Sequence, residues 1–458
     1  MKFRGGYNVP VAGMPSRQVE VLGEPDVLYL PRWSARFRFS DLSVEEGQRV
    51  SPGQVLAKDP GNHSVPLLAP RAGTVRLDTA DHVVLEGVVP EEQEPYEPRE
   101  GLPHVPKDAG SGGMKRHKLM VLGAWQYFYD AHTKMLPDPF GTPRAVIIST
   151  LRLEPFLVRG DVQMEESLTT FTRGIEHLQS LLEYQPIYLV LPDIQSELAR
   201  RVRESVRGYA WVKLFEIPLR YSLDDFAVLA RALGYGQEAE SPVWGLYAEG
   251  VLAVDRALMH SAPCSSRTIA LGGPEVGAPV HLEAMPGYPI DRILEGRLTG
   301  ESVRVINGGA LTGRKLESGQ LGLDSECAGL TVLSEEIERE FLGFLRPGSD
   351  RRSYSRCFLS SLFDRASGRL KAAVRGEKRA CIACIQCEQV CPAGIRPHVI
   401  HKFLYQDLLE NAEQARLDLC VGCGLCSYVC PSKIELYQQF MTAQETVWEE
   451  QRAVETTE

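Results

Sequence analysis

The hydrophobic and polar positions of this chain follow different periods in different stretches. Between residues 36 and 86, short Val and Leu runs alternate with Gly and Pro turns, which predicts short strands in a small β-barrel or sandwich. Gly47, Gly53 and Gly73 fall where tight turns need a positive φ. Between about 144 and 235, buried runs such as "RAVIIST" and "PIYLVLPD" alternate with helical segments such as "SELARRVRESVR". This alternation predicts an α/β layer with a parallel sheet.

The remaining stretches have patterns of their own. Residues 90–118 are rich in Pro, Glu and Gly and can bury little apolar surface, which predicts an exposed linker. From about 267 to 334, a glycine-rich β pattern with one helix-like segment, "PIDRILEG", predicts a small mixed β-grasp unit. From Arg346 onward the pattern is helical, with cysteine motifs embedded in it.

Composition and charge exclude several classes of protein. The 458 residues are 43% hydrophobic and 24% charged, which is ordinary for globular chains and excludes wholesale disorder. A net charge of −10 argues against a nucleic-acid binder that works by neutralising phosphates. The N-terminus has no apolar signal core, and no run of eighteen apolar residues occurs, so we expect neither secretion nor a membrane span.

The cysteines are the most informative residues of the chain. Eight of the eleven lie between Cys381 and Cys430, a crowding that indicates metal ligation rather than a disulfide framework. They form two runs of the pattern C-x2-C-x2-C-x3-C-P, in which three thiolates hold one [4Fe–4S] cluster and the fourth is directed to the other cluster. We therefore assign to the first cluster Cys381, Cys384, Cys387 and Cys430. We assign to the second cluster Cys420, Cys423, Cys426 and Cys391.

Structural zinc is the alternative interpretation of this region. Zinc also uses C-x2-C pairs, but it closes with four ligands and needs no third cysteine followed by x3-C-P. Apolar residues between the ligands would keep water away and favour a low-potential electron carrier, which needs no catalytic residue. His398 and His401 could tune a cluster or simply occupy a solvated helix face. The isolated Cys264, Cys327 and Cys357 are expected to be buried as small hydrophobes.

A basic segment precedes the cysteine runs. Residues 346–379 contain ten Lys or Arg and three Asp or Glu, which gives a local charge of +7 in an acidic protein. The segment could offset the negative charge of a cluster, dock an acidic partner, or serve as a solvated helical connector.

Several segments together resemble a known family. "KFRGGYNVPVAGMPSRQVEVLGE", "VEEGQRVSPGQVLAKD", "ALGGPEVGAPV" and "EFLGFLRPGSDRRSYSR" resemble the peripheral A-type component of the sodium-translocating NADH:quinone reductase, the Nqr type, over nearly all of residues 1–356. The C-terminal segment with both cysteine runs is instead similar to the C-type component of the Rnf ferredoxin:NAD oxidoreductase. The Nqr component ordinarily lacks such clusters, so the chain is a composite.

The resemblance implies a multidomain α/β and α+β fold. Its parts are a barrel-sandwich hybrid β domain at 1–89, the linker at 90–118, a Rossmann-like α/β domain at 119–265, an SLBB-like β-grasp domain at 266–340 and an α-helical ferredoxin domain at 341–458. The turn "LLAPRAG" in the first of these has no lysine at its tip, so it is not a lipoyl or biotinyl carrier.

The resemblance also implies a function. We expect an electron-transfer subunit of a membrane-associated oxidoreductase complex, not an enzyme complete on its own. Two [4Fe–4S] clusters would carry electrons between a soluble partner, such as ferredoxin or an NADH-linked protein, and membrane subunits or quinone. The chain would be peripheral, at the cytoplasmic face of the inner membrane.

The evidence for FMN or NADH on this chain is weak. The glycine-rich loop that the Rnf component uses near its flavin and NADH is replaced by "LGAWQYFYDAHTKML" at 122–136, and no G-x-G-x-x-G follows the first α/β strand. Two alternatives stay open: a self-contained flavin-dependent NADH dehydrogenase, as in cobalamin reductases related to the Rnf component, and a non-redox assembly scaffold.

Overall fold

A computed structural model describes residues 3–97, 110–182, 185–236, 242–335, 372 and 378–455. Within these residues there are four β-sheets and a C-terminal helical unit. The mixture of sheets and helices confirms the multidomain α/β architecture. The predicted basic segment at 346–379 lies almost wholly outside the described residues, and the isolated Cys357 lies wholly outside them.

The N-terminal unit consists of two small antiparallel sheets that share one apolar core. Its strands are β1 (Val19–Val21), β2 (Val27–Pro31), β3 (Asp41–Leu42), β4 (Arg49–Val50), β5 (Val55–Asp59), β6 (Val65–Leu68), β7 (Ala72–Arg76) and β8 (His82–Val89). One sheet has the order β2-β8-β7-β4 and the other β3-β5-β6. Leu28 and Leu30 are fully buried because alternate residues of a strand face the same side.

The turn glycines of this unit differ in conformation. Gly47 and Gly53 have φ of 75° and 74°, so both occupy the left-handed region that the turns require. The prediction for Gly73 is wrong, because this residue lies inside β7. A Cβ there would lie 3.1 Å from the Glu86 carbonyl oxygen, so close strand approach explains the glycine.

The α/β unit is built around a mostly parallel sheet. Its elements are α1 (Gly110–Val121), β9 (Tyr129–Asp130), β10 (Ala145–Ser149), α2 (Gly160–Met164), α3 (Leu168–Leu181), β11 (Ile187–Pro192), α4 (Glu197–Ser205), β12 (Val212–Ile217), α5 (Phe226–Ala232), β13 (Val243–Tyr247) and α6 (Ala248–His260). The strand order is β12-β11-β10-β13-β9, with β9 antiparallel at the edge. Every residue of β10 is buried, because helices cover both faces of a parallel sheet.

Helices α3 and α6 pack closely on one face of that sheet. A Cβ at Gly174 would lie 2.4 Å from the Val251 carbonyl oxygen, so only glycine allows this approach. Helix α1 covers the end of the range predicted as a linker. Its Leu119 is fully buried in the apolar core, which gives this part of the range a reason to be ordered.

The third unit is a six-stranded mixed sheet with one short helix. Its elements are β14 (Arg267–Gly272), β15 (Val280–Ala284), α7 (Ile290–Leu294), β16 (Val303–Asn307), β17 (Arg314–Lys315) and β18 (Gly329–Ser334). The strand order is β1-β15-β14-β18-β16-β17. Strand β1 therefore joins this sheet, in parallel with β15, although it falls inside the range predicted for the N-terminal β domain.

The C-terminal unit is helical. It comprises α8 (Gln386–Gln389), α9 (Pro397–Leu404), α10 (Leu409–Gln414), α11 (Leu425–Tyr428) and α12 (Leu436–Glu455). Ile400, Leu436 and Phe440 are buried in a small core that also contains Cys387 and Cys391. The cysteine runs thus lie where short helices converge on apolar side chains.

Candidate metal centres and an adjoining cavity

Four of the predicted cysteine ligands line one cavity of about 350 Å³. Three come from the loop before α8 and from α8 itself, and the fourth follows α11. They are Cys381, Cys384, Cys387 and Cys430. Ile382 and Ile385 also line this cavity, yet they are 65% and 47% exposed, so the first cavity lies at the protein surface.

The other four predicted ligands line a second cavity of about 370 Å³. They are Cys391, Cys420, Cys423 and Cys426. Val421, Leu425 and Phe440 close its walls, and all three are buried. Each cavity therefore takes three cysteines from one run and one from the other.

Backbone amides face the thiols of the second cavity. The N–H groups of Ala393, Gly394 and Ile395 lower the pKa of the Cys391 thiol, although burial has the larger and opposite effect. Gly422, whose φ is 60°, supplies its N–H to Cys420 in the same way. Hydrogen bonds to sulfur are one of the means by which proteins tune iron–sulfur clusters.

The thiols are held in an apolar setting. Burial raises the pKa of Cys387 to about 12, of Cys420 to about 11 and of Cys423 to about 12. Neutral thiols are therefore favoured until a cation binds, and a bound metal deprotonates a thiol outright. Four sulfur ligands around an apolar space fit a [4Fe–4S] cluster.

The grouping of the thiols differs from that of a single-ion site. A zinc ion needs four ligands, with sulfur at about 2.3 Å from one point. No three His, Cys, Asp or Glu side chains among residues 3–97, 110–182, 185–236, 242–335 and 378–455 are placed to hold one metal ion. The cysteines surround a space instead of a point.

A much larger cavity, of about 2260 Å³, adjoins the second cysteine cavity through Val421, Gly422 and Cys423. It lies at the carboxyl ends of β10 and β13, where strand order reverses, the usual ligand crevice of an open α/β sheet. We call it the interdomain cavity, because side chains from all four units line it. They include Arg36, Arg152, Tyr247, Asp324 and Tyr437.

The wall of the interdomain cavity contains buried acids with different partners. Glu154 accepts hydrogen bonds from the Leu311 and Thr312 amides at 2.8 and 2.7 Å. Asp224 accepts one from the Leu153 amide at 2.8 Å, its Oδ1 is buried and unpaired in the described residues, and burial raises its pKa to about 7. Glu154 thereby holds the loop "GGALTG" against the α/β unit.

Sequence reasoning missed the interdomain cavity. "GGALTG" is dismissed as a phosphate loop because it follows no α/β strand, yet Gly308, Gly309 and Gly313 line the cavity. A Cβ on Gly309 would lie 2.3 Å from the Glu154 carboxyl carbon, which explains one of these glycines. The available signal was the glycine spacing, but the loop's neighbour depends on how two units pack.

The α/β unit also contacts the second cysteine loop directly. Tyr221 donates its hydroxyl to the Cys423 carbonyl oxygen at 2.8 Å, and Lys134 donates to the Val421 carbonyl oxygen at 2.5 Å. The buried Ser222 hydroxyl lies beside the Cys423 thiol and lowers its pKa, against the larger effect of burial. Sequence analysis singled out none of the residues Lys134, Tyr221 and Ser222.

The two candidate histidines lie in the wall of the first cavity. His398 Nδ1 is 3.6 Å from a Glu388 carboxylate oxygen, and His401 Nδ1 is 2.7 Å from the Gln439 side-chain oxygen. Of the isolated cysteines, Cys327 is buried and Cys264 is partly buried, and neither lies in a cysteine cavity.

Comparisons with known families define the class. Residues 380–435 match the 4Fe-4S dicluster domain, and residues 268–318 match the NQRA C-terminal domain. With relatives that are named as reductase subunits, these matches identify an iron–sulfur, electron-transport subunit of the oxidoreductase class.

The curated relatives specify the comparison further. Over 422 residues the chain is 26% identical to the A-type component of the Na(+)-translocating NADH-quinone reductase of Pseudomonas aeruginosa, covering 90% of this chain and 91% of that one. Over 418 residues it is 25% identical to the component of the same name from Alcanivorax borkumensis, covering 87% of each.

Two solved structures, both of an NAD+-reducing [NiFe]-hydrogenase, are also similar. The air-oxidised form matches with 15% identity, a TM-score of 0.38 and 64% coverage of each chain. The H2-reduced form matches with 11% identity, a TM-score of 0.42 and coverage of 87% of this chain and 79% of that one.

Proposed function

We propose that this chain is the electron-transfer subunit of a membrane-associated complex of the Nqr or Rnf type. It passes electrons through two [4Fe–4S] clusters between a soluble redox partner and membrane subunits or quinone. The observation that carries the proposal is the gathering of eight cysteines into two cavities of four. The first centre takes Cys381, Cys384, Cys387 and Cys430. The second centre takes Cys391, Cys420, Cys423 and Cys426.

The two centres have different surroundings. The first opens to the surface beside the exposed Ile382 and Ile385, so a soluble partner can approach it. The second lies between the helical unit and the α/β unit, and Val421 is buried in the apolar cluster of that sheet. The clusters supply one-electron chemistry, while the apolar walls exclude water and the backbone amides stabilise thiolate charge.

We further propose the domain names given by the resemblance, with the boundaries 1–89, 90–118, 119–265, 266–340 and 341–458. The names of the curated relatives support partners in a membrane complex, and we place the chain peripherally at the cytoplasmic face. In the part of the chain that the structure describes, no helix is both long and apolar enough to cross a membrane. Similarity of the C-terminal segment to the Rnf component stays a prediction.

Metal and sulfide analysis tests the proposal. Anaerobically purified protein should contain close to eight iron and eight acid-labile sulfides per chain, because two clusters contain four of each. Dithionite should bleach the visible absorbance and produce cluster signals in electron paramagnetic resonance. Stoichiometric zinc without iron would contradict the proposal.

A self-contained flavin-dependent NADH dehydrogenase is the second candidate. The interdomain cavity favours it, because a crevice of about 2260 Å³ at the sheet's switch point directly adjoins the second centre. The loop after β10 opposes it, because "LRLEPFLVRGD" provides one glycine where a pyrophosphate needs closely approaching amides.

Flavin content and NADH reactivity separate the two candidates. We expect the isolated chain, with both clusters filled, to bind NADH poorly and to keep its cluster absorbance when NADH is added. Yellow flavin retained through purification, together with rapid bleaching by NADH alone, would favour the dehydrogenase. Absence of clusters from intact, folded protein would leave only the assembly scaffold.

A further inference from the structure

Two positive side chains of the α/β unit approach the second centre. Lys134 follows β9, and its Nζ donates to the Val421 carbonyl oxygen at 2.5 Å and pairs with an Asp225 carboxylate oxygen at 2.6 Å. Val421 stands between the proposed ligands Cys420 and Cys423. Burial lowers the pKa of Lys134, but Asp225 and then the two thiols raise it by more, so the ammonium stays charged.

Arg231 approaches the same centre from helix α5. Its Nη1 donates to the Leu419 carbonyl oxygen at 3.3 Å, and its Nε donates to the Ala227 carbonyl oxygen at 3.0 Å. Its Nη2 is buried and has no hydrogen-bond partner in the described residues. The guanidinium lies within electrostatic range of the Cys391 thiol and acts to lower the pKa of that thiol. An unpaired charged donor is therefore buried beside the cysteine that crosses from the first run.

The surroundings of the first centre are different. Two positive side chains, Arg379 and Lys433, flank the loop that carries Cys381 and Cys430. Arg379 is exposed and Lys433 is partly exposed, so water and salt screen their charges.

Lys134 and Arg231 act over a shorter and drier path. Arg231 acts through protein, where the effective dielectric constant is lower and a charge has a stronger effect. The Lys134 side chain is 44% exposed along its length, but two bonds fix its ammonium group directly against the ligand loop.

Reduction adds one electron, and so one negative charge, to a centre; no bond is broken and no group leaves. A fixed positive charge beside the centre stabilises the reduced form more than the oxidised form. Asp225 opposes this effect, but Lys134 and Arg231 outnumber it. The Asp418 carboxylate is exposed and bonds to Arg416, so it acts mainly through solvent.

We propose that Lys134 and Arg231 are positioning residues that raise the reduction potential of the second centre. Electrons are thereby stabilised at the centre that adjoins the interdomain cavity. The inference rests on the proposed function, because it requires a cluster held by Cys391, Cys420, Cys423 and Cys426. It assigns to the α/β unit a role in tuning electron transfer that needs no nucleotide.

A redox titration of the whole chain with both clusters filled, followed by electron paramagnetic resonance, tests the proposal. The variants are Lys134→Gln and Arg231→Gln, which remove charge but keep an amide donor, and Arg231→Lys, which keeps the charge. In each Gln variant we expect the equilibrium constant for moving one electron from the first centre to the second to fall at least tenfold, about 59 mV. Arg231→Lys should restore most of the wild-type value.

Arg416→Gln is the matched control. This guanidinium lies near the same ligand loop but is solvent-exposed, so its loss should leave both potentials nearly unchanged. The first centre in each molecule is an internal control and should not shift. Unchanged potentials in both Gln variants with both signals present would overturn the inference alone.

Other outcomes are equally decisive. Wild-type protein with no second cluster would overturn the proposed function and this inference with it. Equal shifts of both centres would indicate a general structural effect and would contradict the specific role. If Arg231→Gln fails to fold, Lys134→Gln and Arg231→Lys still decide the matter, since the former must shift the potential and the latter must not.

Discussion

Replacing Cys391 by Ser should remove the cluster of the other cysteine run. Cys391 belongs to the first run in sequence, but it lines the cavity that contains Cys420, Cys423 and Cys426. The substitution therefore leaves that cavity with three thiols. It leaves intact the four thiols of the first cavity, where Cys430 is the ligand from the second run.

The expected magnitude follows from the two groups of four. Each cavity has the ligands of one cluster, so Cys391→Ser should reduce iron from close to eight to about four per chain, with the same loss of sulfide. The remaining electron paramagnetic resonance signal should match that of Cys420→Ser, because both changes strike the second centre. Cys430→Ser should leave the complementary signal.

The assay is anaerobic metal analysis with low-temperature spectra of dithionite-reduced protein. Cys264→Ser is the matched control, since this cysteine lies outside both cavities and should leave all eight irons in place. If Cys391→Ser and Cys420→Ser lose different signals, each run closes its own cluster and the crossed arrangement is wrong.

Three further predictions concern the packing around these centres. Glu326 bonds to the Arg36 amide at 2.9 Å and pairs with its buried guanidinium, so Glu326→Ala should destabilise the fold by about 3–5 kcal/mol in urea unfolding; Glu197→Ala, which breaks an exposed pair, should leave the unfolding midpoint in place. The pKa of Asp224 is raised to about 7 from 3.8, so its protonated form stabilises the fold and this contribution is lost as pH rises. Relative to Asp224→Asn, the wild type should lose about 3 kcal/mol of unfolding free energy between pH 5 and 8, and parallel pH profiles would refute this. Gly309→Ala should force the "GGALTG" loop off Glu154 and lower the thermal midpoint, whereas Gly319→Ala, where a Cβ meets no atom within 4 Å, should change it little.

The cysteine ligands were readable from the chain because iron–sulfur loops are local. Three ligands of each centre lie within a few residues, so their spacing alone specifies a cluster. The α/β pattern was equally readable, because buried parallel strands such as β10 need continuous apolar runs and amphipathic helices show their own period. The confirmed α/β architecture and the 4Fe-4S dicluster match both follow from such short-range signals.

Long-range packing decided the rest. Strand β1 carries no mark in its three residues that it pairs with β15 instead of the barrel strands, because an edge strand is recruited by backbone hydrogen bonds that any sequence can make. Lys134 and Val421 are distant in the chain, and their contact exists only because the helical unit packs on the α/β sheet. The interdomain cavity depends on four units meeting at one sheet edge, so no single segment encodes it.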